Sequence, residues 1–123
     1  MSKTARKKAA TRARRKKHIR KIVHGTTERP RLVVYRSLHH VYVQLVDDVQ
    51  GKTLLGVSSL TPDVREQLTG KKPIDAAKLV GAAFAEKAVA RDVKTVVFDR
   101  NGFPYHGRIR AIAEGAREGG LKF

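Results

Sequence analysis

The stretch RLVVYRSLHHVYVQLVD, residues 31–47, is written as two strands and the tip that joins them. Arg31 to Ser37 and Val41 to Asp47 are rich in β-branched and aromatic residues, and Leu38, His39 and His40 separate them at a spacing suited to a hairpin. Leu32 and Val34 mark one side of the first strand, Val33 and Tyr35 the other. Both sides are apolar, so one packs on helices while the other meets an arm, a partner or partial solvent. After the turn Asp48-Val49-Gln50-Gly51, the run Thr53 to Ser59 reads as a third strand, and adjacent antiparallel pairing is its simplest topology. Gly56 marks a bulge or a close approach within it.

Working toward the carboxyl end, Thr61-Pro62-Asp63 carries the cap-then-Pro grammar of a helix start, and Gly70 and Pro73 limit that helix to two turns. A long helix is predicted from near Asp75 to about Arg91, because Ala77, Val80, Phe84 and Ala88 recur at i+3 and i+4 intervals. Its many alanines allow close approach to a sheet. Thr95 to Phe98 reads as a short buried strand, reached by a crossover through the preceding helix. Arg100-Asn101-Gly102 closes that strand with strong turn signals. A last helix, about Ile109 to Glu118, offers Ile109, Ile112, Ala113 and Ala116 to the core. Gly119 and Gly120 end it, leaving Leu121 and Phe123 as a hydrophobic clasp. The order β-β-β-α-β-α predicts a small two-layer α/β sandwich with a mixed sheet.

Working toward the amino end, the composition changes abruptly. Residues 1–31 hold thirteen Lys and Arg against the single acid Glu28, about +12 of the chain's formal +16, whereas residues 32–123 carry only +4. Residues 1–25 therefore read as a basic arm that seeks polyanions, and residues 26–123 as one α/β domain. Ala, Lys and Arg favour helix from about Lys3 to Val23, but like charges without acidic partners should make it fray. The expectation is an arm that is mobile when free and orders when phosphates neutralise it. Ile19, Ile22 and Val23 share a face that can dock its last turns on the domain.

Composition also excludes chemistry. The chain has no Cys, which rules out disulfides, thiolate metal sites and Cys nucleophiles, and its histidines are too dispersed for a convincing zinc site. No window approaches a membrane span or a signal-peptide core, so neither secretion nor membrane insertion is expected. The arm's contiguous charges and scarce apolar residues before Ile19 argue against a transit peptide. No catalytic triad or phosphate-cradling Gly-Lys motif is present, and neither catalysis nor a cofactor is expected. Asp47, Asp48 and Asp99 could be assembled into a metal-dependent nuclease, but turn capping and pairing with Arg36 or Arg100 explain them more economically.

Binding residues stand out in three places. The arm contributes Arg12, Arg14, Arg15, Lys16, Lys17, Arg20 and Lys21, whose charge alone cannot choose DNA over RNA. The hairpin contributes Tyr35, Arg36, His39, His40 and Tyr42, able to stack on unpaired bases, to hydrogen-bond or to serve as ordinary strand and loop residues. The loop FDRNGFPYHGRIR, residues 98–110, offers Arg100, Tyr105, His106, Arg108 and Arg110 for phosphate, ribose or stacking contacts, with Asp99, Asn101 and the glycines as scaffold.

These segments resemble one family across nearly the whole chain. GTTERPRL (residues 25–32), YRSLHHVYVQLVDD (35–48), GKTL (51–54) and VVFDRNGFPYHGRIRAIAEGAREGGLKF (96–123) are similar to the bacterial large-subunit ribosomal protein family numbered eighteenth, the binders of 5S ribosomal RNA. The resemblance implies an α/β core seated on 5S rRNA in the central protuberance, a basic extension following RNA grooves, and a role in joining 5S to 23S rRNA beside other 5S-binding proteins. It adds Arg29 and Arg31, around Pro30, to the RNA-binding candidates and supports Arg36, His39, His40, Tyr42, Arg100, Tyr105, His106 and Arg108. His39-His40 and Phe103-Pro104 depart modestly from the family pattern. A general nucleic-acid packaging protein, which needs only the arm, is the rival reading.

Overall fold

The computed structural model describes residues 2–123. Strands β1 (Arg31–Arg36) and β2 (Val41–Asp47) form the expected hairpin, antiparallel with Leu32 opposite Leu45, Val34 opposite Val43 and Arg36 opposite Val41. The period of two places Leu32, Val34, Val41, Val43 and Leu45 on one buried face. Strand β3 (Lys52–Ser58) runs antiparallel to β2, and β4 (Val97–Asp99) runs parallel to β1, giving the mixed order β3-β2-β1-β4. The irregularity in β3 is at Leu54 rather than Gly56: Leu45 opposes Leu55 while Val46 opposes Thr53, so Leu54 is the extra residue.

Helix α1 (Lys3–Ile22) precedes the sheet, the two-turn α2 (Pro62–Gln67) follows β3, and α3 (Pro73–Ala90) and α4 (Arg108–Glu118) cover the buried face. Pro73 starts α3 as well as ending the preceding segment. Its ring fixes φ near the helical value, and a first-turn residue needs no intrahelical N–H partner. Ala77, Val80, Phe84 and Ala88 are all fully buried. The small residues of α3 let it lie close against β2 and β3 and, closer still, against α4. A Cβ on Gly81 would strike the backbone oxygen of Ile112, and one on Gly115 would strike that of Lys78, so α3 and α4 approach almost backbone to backbone.

The chain leaves α4 with Gly120 N–H donating to Arg117 O and Leu121 N–H to Ala116 O, both 3.1 Å, a Schellman ending. Leu121 is then buried, and Phe123 stacks on Phe98 with centroids 5.5 Å apart. The expected clasp therefore forms, and Thr95 bridges Lys122 to extend it along the sheet margin.

Ser2 caps α1 by accepting from Ala5 N–H at 3.1 Å. Only Ile19 of the anticipated docking trio is buried; Ile22 is 74 % exposed, because the helix ends there and Val23 turns into extended backbone. Among the described residues no helix is long and apolar enough to cross a membrane.

Candidate nucleic-acid interface

The acids before and after the strands hold the frame on which the basic groups stand. Because β1 lies between β2 and β4, Arg31 reaches both Asp48, just past β2, and Asp99, at the end of β4. Its Nε and Nη2 donate to the two Asp48 oxygens at 3.0 and 3.1 Å, and its Nη1 donates to Asp99 at 2.8 Å. Arg31, rather than Arg36 or Arg100, is thus the partner of these carboxylates. Burial opposes its charge, but its bonds to Asp48 and Asp99 outweigh that and raise its pKa. The Arg31 guanidinium in turn holds Asp48 far below the usual carboxylate range against burial, helped by Gly25 N–H at 2.7 Å and Arg20 at 3.4 Å. Asp48 therefore ties the end of α1 to the sheet.

The turn roles of the other two acids are as expected. Asp47 accepts from Val49 and Gln50 N–H at 2.9 and 3.1 Å and from the Thr27 hydroxyl at 2.8 Å. Asp99 accepts from Asn101 N–H at 2.8 Å. Among the described residues no group of three or more His, Cys, Asp or Glu is placed to hold a metal ion.

The other face of the sheet meets the arm. Tyr35 packs against Tyr42 and Phe103 with centroids 5.9 and 5.7 Å apart, and the Arg12 guanidinium lies 4.0 Å from the Phe103 centroid and 5.4 Å from that of Tyr35. Arg36 approaches Phe103 as well, at 5.1 Å. Gly102 makes this seating possible: at φ +79° it places no side chain where a Cβ would lie 2.5 Å from Arg12 O and 3.1 Å from Lys16 N. Phe103, noted from sequence only as a departure from the family pattern, is a buried ring under α1. An irregular loop has no periodicity to reveal such a residue.

The candidate residues fall into distinct settings. Arg14, Arg15, Lys16, Lys17 and Lys21 project from α1 into solvent, as does Arg29 from the turn before β1. Arg14, Arg15 and His18 share a hollow with Arg100, whose Nη1 also donates to Phe103 O at 2.8 Å. Arg36, His39, Tyr105 and His106 are exposed, and the Tyr105 ring meets the edge of Phe98 at 5.9 Å. Arg12, Arg20 and Arg31 are engaged by the aromatic ledge or by carboxylates.

A second hollow gathers His39, His40 and Arg108 with Arg65 and Lys71, two basic residues that the sequence did not single out. Here Arg108 donates to Ser37 O at 2.9 Å and Leu38 O at 3.4 Å, and His40 Nδ1 lies 2.9 Å from Ser59 Oγ. Burial first, and then the charge of Arg36, lower the pKa of Arg108. These bonds set the shape of the hairpin tip. The arm basics, Arg36 and Arg100 thus lie on one side of the molecule's basic surface, and the hairpin tip forms a separate group.

Comparison with known proteins bears directly on this arrangement. Residues 6–123 match the family described as ribosomal L18 of archaea, bacteria, mitochondria and chloroplast. A large ribosomal subunit protein uL18 of Myxococcus xanthus is 60 % identical over 116 residues, covering 94 % of this chain and 98 % of its own. Those of Chloroherpeton thalassium and Geotalea uraniireducens are 53 % and 52 % identical, covering 98 % and 100 % of this chain and 99 % and 100 % of their own. A match of that extent, through the arm, the hairpin and the 98–110 loop alike, makes this chain a member of the ribosomal L18 family.

Proposed function

We propose that the chain is a non-catalytic structural protein of the large ribosomal subunit that binds 5S rRNA and helps attach it to 23S rRNA, next to neighbouring 5S-binding proteins in the cytoplasmic ribosome. The observation that carries this reading is α1: eleven Lys and Arg in twenty residues with no carboxylate, seated on the aromatic ledge beside Arg36 and Arg100. Cations that have no acidic partners in the fold are available to phosphates, and each phosphate neutralised releases counterions. The relatives' designation as large-subunit proteins supplies the context.

In this reading residues 1–25 form the arm and 26–123 the domain. Arg14, Arg15, Lys16, Lys17 and Lys21 grip phosphates, and Arg29, Arg36, His39, Arg100, Tyr105 and His106 add contacts from the domain. Arg20, Arg31, His40, Tyr42 and Arg108 shape the surface, because their polar or aromatic groups already have partners within the fold, whereas Arg12, held on the Phe103 ring, lines the cleft between α1 and the 102–104 loop.

Competition between 5S rRNA and an unrelated RNA of equal length, over a salt series, tests the proposal. It predicts preference for 5S rRNA at every salt, with log affinity falling by about 0.7 to 0.9 per phosphate neutralised as log salt rises. Equal affinity for both RNAs, reproduced by an isolated peptide of residues 1–25, would contradict it.

A further inference from the structure

We infer that the cleft between α1 and the 102–104 loop is a binding site for one unpaired nucleotide, its base against the Arg12 and Arg36 guanidinium planes and its phosphate on Lys7, Lys8 and Arg15. The inference rests on the RNA-binding reading above and names what part of the RNA this surface takes. The cleft has a volume of about 650 Å³, inside the roughly 300 to 1,000 Å³ range of pockets that enclose small ligands. Five cations line it, Lys7, Lys8, Arg12 and Arg15 from one stripe of α1 and Arg36 from β1, and no carboxylate does. Like charges facing one another across a concave space favour an anion between them.

The chemistry fits a base as well as a phosphate. Phe103 forms the floor, with Arg12 on its ring at 4.0 Å and Arg36 at 5.1 Å, so one aromatic ring gathers two guanidinium groups. Guanidinium planes stack on nucleobases, and every base has a π-face to offer. Arg12 Nε is buried without a hydrogen-bond partner within the fold. The walls are fixed in advance, because the Gly102 backbone lies directly against Arg12 and Lys16. A cleft of this volume has room for a single unpaired nucleotide. The adjoining hollow of Thr11, Arg14, Arg15, His18 and Arg100 shares Thr11 and Arg15 with the cleft and continues the path for the next phosphate.

The test uses the full chain with a single-stranded tetraribonucleotide carrying 2-aminopurine, a blunt RNA duplex, and 5S rRNA. Arg36 is exposed, so Arg36→Gln leaves the core untouched; Lys21→Gln, outside the cleft, is the comparator. The site predicts fluorescence quenching of 2-aminopurine on binding and a loss of tetranucleotide affinity of about tenfold in Arg36→Gln, the scale of losing one stacking partner. Duplex affinity should fall no more in Arg36→Gln than in Lys21→Gln. Absence of quenching, or equal losses for both RNAs in both variants, would overturn the site and leave a phosphate-binding surface only. Quenching without any preference for 5S rRNA would uphold the pocket and instead overturn the reading that chose its RNA.

Discussion

Gly102→Ala should lift α1 from the sheet while leaving the domain folded. Two effects add at this position. A residue with a Cβ at φ +79° is strained by about 1 to 2 kcal/mol. The new Cβ would also stand 2.5 Å from Arg12 O and 3.0 Å from Arg12 Cγ. The carbonyl belongs to a helix backbone and cannot rotate away, so α1 must move, and the Arg12 contact to Phe103 goes with it, worth about 0.5 to 2 kcal/mol. That loss and an overpacking cost of about 1 to 3 kcal/mol set about 1.5 to 5 kcal/mol against the seating of α1, and at about 1.4 kcal/mol per factor of ten amide exchange in α1 should accelerate roughly 10- to 4,000-fold. Only the backbone strain, about 1 to 2 kcal/mol, is charged to global unfolding, which lowers Tm by several degrees for a domain of this size. Hydrogen exchange resolved by peptide, beside a thermal melt, measures both. Unchanged exchange in residues 3–18 would refute the reasoning, because it would mean that α1 does not depend on the Gly102 contact.

Phe84→Ala should cost about 3 to 5 kcal/mol in denaturant unfolding, since the ring is fully buried and its removal leaves a cavity under the sheet. Gly81→Ala should destabilise by roughly 1 to 3 kcal/mol or more by forcing α3 from α4, and wild-type stability in that variant would contradict the close approach. Asp48 has its pKa lowered by Arg31 first, so the unfolded chain takes up its proton at higher pH than the folded one; the stability it contributes is complete above the ordinary carboxylate range and is lost as pH falls from about 4 through its own lowered value. Urea titrations at stepped pH should show that acid limb in the wild type and a flatter one in Asp48→Asn. Arg108→Gln removes bonds to Ser37 O and Leu38 O and should weaken RNA binding with little change in salt slope, whereas Lys17→Gln should reduce the slope by about 0.7 to 0.9.

Much of the architecture was legible because it is periodic. The alternation of Leu32, Val34, Val43 and Leu45 and the stripe of Ala77, Val80, Phe84 and Ala88 each place side chains on one face before any tertiary contact is known. What stayed hidden depends on which elements become neighbours. Arg31 as the partner of Asp48 and Asp99 follows only once β1 is known to lie between β2 and β4. The bulge fell at Leu54 because cross-strand register, not glycine content, set its position. Within the candidate interface, the charge of α1 was plain from composition, but its seat on Phe103 was not, since Gly102 and Phe103 act through a contact with residues about ninety positions earlier in the chain. Arg65 and Lys71 did not stand out for a related reason: on a surface helix or its exit loop, a cation that joins a basic cluster and an isolated one have the same sequence signature.

The division of labour between arm and domain is tested most directly by chemical protection mapping on a mixture of 5S and 23S rRNA, with the full chain beside a shortened chain beginning at Thr27. The account predicts that the full chain protects a discrete 5S footprint, and that the shortened chain keeps that footprint at lower affinity and with a shallower salt dependence. Loss of all selectivity in the shortened chain would contradict it by placing recognition in the arm.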